Sequence, residues 1–527
     1  MEHGRGLRAS EAFTAGVAAM LPPTALLGVA HLVQANMPFP ALGLAQRVVE
    51  LIPGSVAVFF IERLGHWALR LFATGFTIGS VLAGGVAGIL VARQAPSRRL
   101  PAAGVVAALL AAIALAGYRA GPGAPSLTTY AVLVVLAGVV FALMLRRSLE
   151  RLERDRVPPP AHGLGRTRRE VLRAGAGAAG LLAAGLVVRA LSGGGLGDRG
   201  GRPLTRPAGA APVEPAALPP DAPEDAPFRS IQGLSPEITS NHRHYVVDES
   251  IIDPDVDPGS WKLRIDGLVG TPITLTYNQL LSLPAIEQYV TMQCISNEVG
   301  GNLVGTAKWT GVPLRALLER AGGVSDPAVR VAFHAVGGYT DSLPVAKAMD
   351  GETVVAYGMN GQTLPRAHGY PVRIIAPGIY GMKSVKWLQR IEVVDYDYKG
   401  YWQRDAGWDN TAVIKTASRI DVPEDLGSVK GGTVVAGVAW AGDRGIDRVE
   451  VSLDSGRSWM AAILRRQLAR TTWRQWRLPW RPTTSGRTVV QVRAIDGQGK
   501  VQTADEAPPH PSGSSGYDQI QVIAGDS

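Results

Sequence analysis

The stretch VTMQCISNEVGG, Val290–Gly301, decides how this 527-residue sequence is interpreted, because it holds the only cysteine of the chain, Cys294. The cysteine follows a run typical of a β-strand and precedes a glycine-rich loop. One thiol cannot form an intramolecular disulfide. Cys294 is therefore either a small buried apolar residue or a thiolate that binds a metal, and its surroundings decide between the two.

A second segment, LPRAHGYPVRIIAPGIYGMKSVKWLQRIEV at Leu364–Val393, combines tight Pro/Gly turns with short apolar strands. His368, Arg373, Lys383 and Lys386 lie beside these turns. Cationic side chains and turn amides that converge in this way suit a phosphorylated ligand. Each residue alone has an ordinary structural explanation, whereas their occurrence together with a lone cysteine favours a binding site.

A third segment, ITSNHRHYVVD at Ile238–Asp248, contains several polar side chains in succession. Asn241, His242, Arg243 and His244 occur there in an otherwise polar loop. Side chains capable of binding a ligand are thus present at three separate places in the sequence.

Together the three segments resemble the molybdenum-cofactor domain of the sulfite oxidase family, over about Phe228 to Val422. The residues that follow resemble the family's C-terminal domain through AWAG, VEVSLDSGRSW and a series of tryptophans. The resemblance implies an α+β domain that binds a molybdenum-molybdopterin cofactor. In the family a cysteine thiolate is a metal ligand, and Cys294 occupies that place. A soft sulfur ligand is suited to the role.

The resemblance also implies which side chains hold the cofactor. In the family, the HGYPVR element carries pterin and phosphate contacts, and SVKW forms a cofactor-facing loop. An asparagine-histidine pair contacts the pterin. These elements map onto Asn241, His242, His368, Arg373, Ser384, Val385 and Lys386. The candidates for the wall of the substrate pocket, and thus for the catalytic set beside Cys294, are Trp309, Tyr339 and Trp408.

Several positions depart from the pattern of true sulfite oxidases. An arginine there precedes the asparagine-histidine pair, where this chain has Ser240, and another follows the metal cysteine, where it has Glu298 and Val299. The expected tyrosine falls at Gly407 or Trp408, and the expected aspartate at Val336 or Gly337. We therefore expect the cofactor to bind but sulfite to be a poor substrate, because a small anion needs cationic donors.

The first 150 residues predict a membrane domain. Apolar residues make up 46% of the chain and charged residues only 18%. Between Arg63 and Leu149 there is no Asp, Glu or Lys. Four apolar stretches are each near the length of a bilayer span, namely Glu11–Val33, Leu69–Val91, Pro101–Ala116 and Leu127–Leu145. A shorter stretch, Leu51–Ile61, is predicted to be interfacial or re-entrant.

Arginine placement predicts the orientation of these spans. The net charge of +9 comes with arginines at the ends of apolar runs, which is typical of membrane flanks rather than of nucleic-acid binding. A fifth apolar segment, Ala174–Val188, follows TRREVLR at Thr167–Arg173. That pattern resembles a twin-arginine export signal, and the alternative is an ordinary positive-inside flank. Either places the downstream domains outside the cytoplasm.

Composition divides the chain into four parts. Residues 1–192 form the membrane domain with about five transmembrane helices, and residues 193–227 are a Gly/Pro/Ala-rich linker. Residues 228–425 form the molybdopterin-binding catalytic domain. Residues 426–527 alternate between apolar and polar side chains, which predicts an immunoglobulin-like β-sandwich, a dimerisation domain by resemblance.

The predicted function is a multi-pass cell-membrane oxidoreductase with its catalytic domain outside the cytoplasm. It transfers an oxygen atom to or from a small-molecule substrate. No cytochrome b5-like module or CxxCH haem site occurs, so a separate redox partner, a cytochrome or a quinone-linked protein, is expected. A homodimer is a further expectation. Whether His31 and His66 hold a haem between two spans stays open.

Two alternatives to this function remain. A reductase of sulfoxide type is the first, since molybdenum can run the reaction in either direction. The second is a membrane-tethered binding protein with an inactive molybdopterin fold. Molybdenum content separates an enzyme from a binding protein.

Overall fold

The computed structural model describes residues 7–33, 39–51, 67–116, 118, 126–154, 201–218, 222–247, 253–429, 431–483 and 485–524. The chain divides into two compact units, Met1–Asp198 with Asp248–Asp255 and Arg199–Val247 with Val256–Ser527. The predicted twin-arginine motif, the fifth apolar segment and His66 lie outside the described residues, as does the side chain of His31. The interfacial stretch after Leu51 does as well.

The first unit is helical. Its helices are α1 (Ala9–Val33), α2 (Pro40–Leu51), α3 (Trp67–Ala92), α4 (Arg99–Ala116) and α5 (Leu127–Arg154). By length and composition four helical stretches can cross a membrane: Ala9–Ala30, Thr74–Ala92, Pro96–Ala116 and Leu127–Arg154. They coincide with the four apolar stretches of the sequence, whereas α2 was not predicted to be a helix.

Alanines and a few large residues of α5, such as Phe141 and Leu145, form the interior of this unit, and many large apolar residues face outward. Alanines are buried at positions such as Ala12, Ala19 and Ala103, while the outward-facing set includes Leu82, Val86, Val105 and Leu109. Where α1 meets α3, a Cβ added at Gly88 would collide with the carbonyl of Ala12. Close approach through small residues is how helices pack in a lipid environment, so the pattern agrees with the predicted membrane domain.

The catalytic part of the second unit consists of two sheets. The first has the order β1-β4-β5-β8-β10 with β9 on β8, and the second β3-β2-β11-β6-β7. The strands of the first sheet are β1 (Val213–Glu214), β4 (Ala285–Gln293), β5 (Val304–Pro313), β8 (Val354–Met359), β9 (Gln362–Thr363) and β10 (Arg373–Ile375). Those of the second are β2 (Lys262–Gly267), β3 (Ile273–Thr276), β6 (Arg330–Ala335), β7 (Thr340–Pro344) and β11 (Leu388–Val394).

One apolar core joins these two sheets. It includes Val290 and Val355 from the first sheet and Phe333 and Ile391 from the second. The short helices are α6 (Ala226–Arg229), α7 (Tyr277–Leu281), α8 (Leu314–Arg320), α9 (Val345–Ala348) and α10 (Tyr401–Ala406). The segments around Cys294 and His368 lie in loops that follow β4 and β9, whereas residues 238–247 lie in the loop between α6 and β2; loops are where backbone can turn toward a ligand.

The predicted linker is in part attached to the catalytic domain. Within residues 193–227, β1 pairs in parallel with β4 through Val213 and Ala285. The guanidinium of Arg206 donates to the carbonyls of Ala211, Leu281 and Leu283. This corrects the linker interpretation for residues 201–218. A Gly/Pro/Ala-rich segment builds no core of its own, but its backbone groups extend a sheet that already exists.

The C-terminal part consists of two further sheets with the orders β12-β14-β18-β17 and β13-β20-β19-β15-β16. Their strands are β12 (Ala417–Val422), β13 (Ser428–Val429), β14 (Thr433–Trp440), β15 (Ile446–Ser452), β16 (Met460–Ala461), β17 (Ile463–Leu464), β18 (Arg474–Trp480), β19 (Gly486–Asp496) and β20 (Asp518–Ala524). Valines of both sheets, among them Val435 and Val492, form one core.

The boundary of this C-terminal domain differs from the predicted one. β12 was assigned to the catalytic domain, which was expected to end at residue 425, yet it pairs with β14 from Ala417 to Val422. An isolated edge strand gives no sequence signal of which sheet it joins, because pairing depends on tertiary contacts. Assignment of the domain to the immunoglobulin type stays a prediction.

Candidate active site

The lone thiol lies directly after β4. Cys294 is 8% exposed, and its Sγ is 2.9 Å from the hydroxyl oxygen of Ser296. Burial raises the pKa of the Cys294 thiol, which the hydrogen bond with Ser296 opposes. A bound metal reverses this preference, because a coordinating thiol is deprotonated. The position therefore suits a thiolate that forms only with the metal.

Two tyrosines that the sequence analysis did not single out lie near the loop of the thiol. A Cβ added at Gly381, the neighbour of Tyr380, would lie 2.5 Å from the hydroxyl of Tyr245 and 3.3 Å from the carbonyl of Gln293. Burial raises the pKa of Tyr380 to about 12. Burial also raises the pKa of Tyr245, which a thiolate at Cys294 would raise further and the charge of Arg373 lowers. We call Cys294, Ser296, Tyr245 and Tyr380 the thiol side.

Arg373, the first residue of β10, joins two loops of the site. Its Nη1 donates to the carbonyl of His368 at 3.1 Å, and its Nη2 donates to that of Ser384 at 2.9 Å. Lys386 donates from Nζ to the carbonyls of Val247 and Ala367, at 3.2 and 3.3 Å. Both cations are buried. Their positive charge is held in place by backbone groups of the loops around them.

Gly369 allows these two loops to meet. Its φ of +103° lies in the left-handed region, which a residue without a Cβ adopts at no steric cost. A Cβ here would also lie 2.9 Å from that of Lys386. The glycine of the HGYPVR element is therefore required for the loop to close over the lysine.

Two imidazoles and an indole are packed against Arg373. The ring of His244 lies 5.5 Å from that of His368 and 6.0 Å from that of Trp309, both edge to face. The guanidinium carbon of Arg373 is 5.4 Å from the Trp309 ring centre. We call His244, His368, Arg373 and Lys386 the anion side.

The anion side carries a positive potential. Burial lowers the pKa of His244 to about 4, and the charge of Arg373 contributes. Burial also lowers the pKa of His368 to about 3, and the charges of His244, Arg373 and Lys386 lower it as well. Both imidazoles are consequently neutral near pH 7, so that the fixed charge comes from the arginine and the lysine.

The asparagine-histidine pair is arranged differently from the other predicted residues. The side chain of Asn241 donates to Gln362 and accepts from Asn360 at 2.8 Å, while its backbone carbonyl accepts from Nε2 of His368. His242 is exposed. The histidine that joins the buried cluster is His244, two positions further on, and a pterin contact by His242 stays a prediction.

The three candidates for the pocket wall occupy different places. Trp309, in β5, is fully buried, and its Nε1 has no hydrogen-bond partner among the described residues. The hydroxyl of Tyr339 donates to the carbonyl of Met382 at 2.7 Å. Trp408 packs against His510 of the C-terminal domain at 5.1 Å. Of the three, the contacts bring only Trp309 to the anion side.

A buried ion pair precedes the predicted cofactor loop. Nζ of Lys383 is 2.8 Å from Oδ1 of Asp341, and both side chains are fully buried. The lysine also donates to Asn410, and Gln403 donates to the other carboxylate oxygen of Asp341. Lys383 is therefore held in one position, and the cofactor loop continues from it through Ser384 and Val385, which are both buried.

These residues fit a molybdopterin. Arg373 and Lys386 supply charge for a phosphate, and the orphaned Nε1–H of Trp309 is a buried donor that needs an acceptor. Cys294 supplies one thiolate. Within the described part of the chain no three His, Cys, Asp or Glu side chains form a metal-binding group. Further ligands of a metal at Cys294 would come from the cofactor.

Comparison with known families agrees with this geometry. Residues 250–402 match the model of the oxidoreductase molybdopterin binding domain, and residues 409–507 match that of the Mo-co oxidoreductase dimerisation domain. These two domains are those of the molybdopterin-dependent oxidoreductase class. Within that class residues 250–507 are similar to the sulfite oxidase family, which confirms the resemblance and the expected cofactor.

Individual relatives match a part of the chain. Mitochondrial sulfite oxidase of Macaca fascicularis is 33% identical over 303 residues, which cover 48% of this chain and 55% of the relative. Nitrate reductase [NADH] of Solanum lycopersicum is 31% identical over 283 residues, which cover 43% of this chain and 31% of the relative. The sulfane dehydrogenase SoxCD of Paracoccus pantotrophus has a TM-score of 0.49 at 24% identity, and the match covers 55% of this chain and 82% of that structure. The chain spans about half the length of the sulfite oxidases it matches.

Proposed function

We propose that this chain is a membrane-anchored oxidoreductase that exchanges an oxygen atom with a small substrate at a molybdenum bound by Cys294. The observation that carries the proposal is the pairing of one buried thiol with a separate buried cluster of two cations. When bound, the cofactor would supply a metal that gives up an oxygen atom while taking two electrons, or that accepts an oxygen atom while giving two. The protein supplies binding and orientation.

Each group of the site has a task under this proposal. Arg373 and Lys386 bind the phosphate of the cofactor through charge-assisted hydrogen bonds. Trp309 offers its Nε1–H to an acceptor in the buried site. His368 stays neutral and is oriented by its hydrogen bond with the carbonyl of Asn241, so it adds no charge next to the arginine. Packing of these groups excludes water from the anion side.

A substrate less charged than sulfite fits the residues around the thiol. Ser240, Glu298 and Val299 stand where arginines were expected, and all three are exposed. Three cations could replace the missing charge. Two of them are engaged elsewhere, since Nζ of Lys308 is 2.9 Å from Glu287 and Arg404 is 2.8 Å from Asp405. The third, Arg243, is exposed and is the one replacement that the kinetics must test. Two missing charge-assisted hydrogen bonds, each worth about 1.5–3 kcal/mol, lower kcat/KM by about two to four orders of magnitude.

A reductase of sulfoxide type is the second candidate, because the same uncharged surroundings favour a neutral oxygen donor. Direction depends on the redox partner. Electrons pass to or from a separate cytochrome or quinone-linked protein under either reading. A homodimer through the C-terminal domain is supported by the family description of residues 409–507.

Membrane attachment is part of the proposal. The four helical stretches that can span a bilayer support it, and arginine placement supports an extracytoplasmic catalytic domain. Replacing Arg168 and Arg169 together by lysine keeps the positive charge but is expected to hold the catalytic domain in the cytoplasm if the pair is an export signal. Protease added outside the membrane would still digest the domain if the pair only sets topology.

Kinetics on the purified chain test the substrate proposal. We expect about one molybdenum and one pterin per chain, and a kcat/KM for sulfite at least about a hundredfold below that for a sulfoxide. Glu298→Arg should raise the value for sulfite, whereas Glu424→Arg, at an exposed position of the loop before β13, should not. A value for sulfite of about 10⁴ M⁻¹ s⁻¹ or more contradicts the substrate assignment. Absence of molybdenum contradicts the enzyme and favours a binding protein.

A further inference from the structure

The end of the strand that leads to Cys294 is held by the C-terminal domain. Nε1 of Trp440, the last residue of β14, donates to Oε1 of Gln293 at 2.8 Å. Trp440 is 2% and Gln293 3% exposed. A buried hydrogen bond strongly restricts the positions of the two side chains that form it. Gln293 is the residue directly before Cys294.

The same domain also covers the edge of β4. β1 pairs with β4 only at Ala285 and Ile286. Further along, the amide of Thr291 donates to the carbonyl of Thr471 at 3.0 Å. In return, the hydroxyl of Thr471 donates to the carbonyl of Tyr289, at 2.5 Å. The C-terminal domain thus continues the pairing that β1 begins.

The loop after Cys294 has two more attachments to this domain. The hydroxyl of Ser514 donates to the carbonyl of Asn297 at 2.7 Å, and Nη1 of Arg419 in β12 donates to that of Gly301 at 2.8 Å. Between them Gly300, with a φ of +71°, approaches Asp518 so closely that a Cβ would lie 2.5 Å from its carboxylate oxygen. The loop therefore fits against the C-terminal domain.

We propose that the C-terminal domain, beyond any role in dimerisation, positions the metal ligand: Trp440 holds the side chain of the residue before Cys294, and Ser514 and Arg419 hold the backbone of the loop after it. They are positioning residues, since their bonds go to Gln293, Asn297 and Gly301 and not to the thiol itself. Groups that orient a ligand affect metal affinity and reactivity by about 10–100-fold. The inference rests on the proposed function only in taking Cys294 as the ligand.

Two tryptophans provide a matched test. Trp440→Phe removes the hydrogen bond to Gln293 and keeps an aromatic ring at this position. Trp473→Phe removes a similar indole bond from the C-terminal domain, at 2.9 Å to the carbonyl of Glu237, and keeps the bond between the backbone amide of Trp473 and the hydroxyl of Thr291 in β4. We expect Trp440→Phe to release molybdenum at least about tenfold faster and to shift the Mo(V) electron paramagnetic resonance signal. Trp473→Phe should leave the rate of molybdenum release and the Mo(V) signal as in the unchanged chain, even if it lowers the melting temperature as much as Trp440→Phe does.

Two adjacent serines provide a milder test in case the tryptophan variant does not fold. Ser514→Ala removes the bond to Asn297, whereas Ser515→Ala removes a bond to Asp505 within the C-terminal domain, at 2.8 Å. Only the first should shift the Mo(V) signal. Identical signals in all four variants overturn the positioning role, as does the same shift in test and control variants.

Thiol reactivity separates this inference from the proposed function. In cofactor-free chain, Cys294 should be alkylated by iodoacetamide at least about tenfold faster after Trp440→Phe than after Trp473→Phe. If the unchanged chain binds no molybdenum, the proposed function fails while the alkylation rates still decide the positioning role. Equal rates in the two variants overturn it.

Discussion

The two sides of the site are built from different parts of the protein. The anion side lies within the catalytic domain: Arg373 bonds to loop carbonyls at positions 368 and 384, close to it in sequence. The thiol side depends on groups from the other domain, which bond to Gln293 and Asn297 on either side of Cys294. A phosphate is recognised by charge that a short motif can provide, whereas a single metal ligand requires accurate placement of its backbone.

The largest expected effect follows from Cys294→Ser. A hydroxyl is a harder and poorer ligand for this metal, so kcat should fall by about a thousandfold or more while the pterin stays bound. Turnover and pterin content measured on the same preparation check this. Ser296→Ala, which removes only the hydrogen bond to the thiol, serves as the control. Undiminished turnover of the serine variant at equal molybdenum content would remove Cys294 from the site.

Arg373→Met should act in the opposite way, because the cofactor itself is lost. The change removes a buried charge and two hydrogen bonds that join the loops, and we expect the pterin per chain to fall by about 10–100-fold. Fluorescence of the released, oxidised pterin measures it. Arg390→Met, which removes an ion pair with Asp266 on the second sheet, should retain the pterin. Equal loss in both variants would mean that charge at the anion side is not what binds the cofactor.

Acid should weaken the anion side before the thiol side. The pKa of His244, lowered to about 4 in the folded chain, lies near 6.5 after unfolding, so the unfolded state takes up protons first. The contribution of His244 to stability is fully present above pH 6.5 and is lost as the pH falls toward 4, by about 3 kcal/mol; His368, whose pKa is lowered to about 3, adds a loss in the same direction. Melting temperatures between pH 8 and 4 measure this. His244→Gln should flatten the profile, and an unchanged profile would contradict the assignment.

The smallest effect on the site is expected from the membrane unit. Gly88→Leu should separate α1 from α3 and destabilise this unit by about 1–3 kcal/mol, but leave molybdenum per chain unchanged. Gly104→Leu, at an exposed position with no atom within 4 Å of an added Cβ, is the control. Thermal unfolding in detergent and metal analysis give both quantities. Loss of metal in the Gly88 variant alone would show that the two units are coupled.

Sequence reasoning goes furthest where the signal is local. Arg373 and Lys386 were singled out because tight Pro/Gly turns bring basic residues together, and Cys294 because it is the only thiol; the structure buries all three, and their binding roles stay predictions. The four apolar helices were predicted because apolar length is sufficient to indicate helices that can cross a membrane. In each case the signal lies within about thirty residues.

It failed where distant segments meet. Tyr245 and Tyr380 reach the loop of the thiol from two different loops, and no pattern in either loop indicates this. The motif pointed to His242, whose pterin contact stays a prediction, whereas no motif indicated that His244 would be buried in the cluster. The pairing of β1 with β4 and of β12 with β14 was missed because strand partners are determined by tertiary contacts rather than by composition.

The bond between Ser514 and Asn297 has a consequence for the synthesis of the protein. The two residues are 217 positions apart, and chains grow at about 5–20 residues per second. The loop that carries the metal ligand thus lacks one of its attachments for roughly 10–40 s after it has been made. The later strands of the catalytic sheets, β5 to β11, are made within that time, and the last 120 residues up to Ser514 are added after β11 is complete. A complete metal site is therefore a property of the finished polypeptide, and insertion of the cofactor is best timed after β20 has been translated.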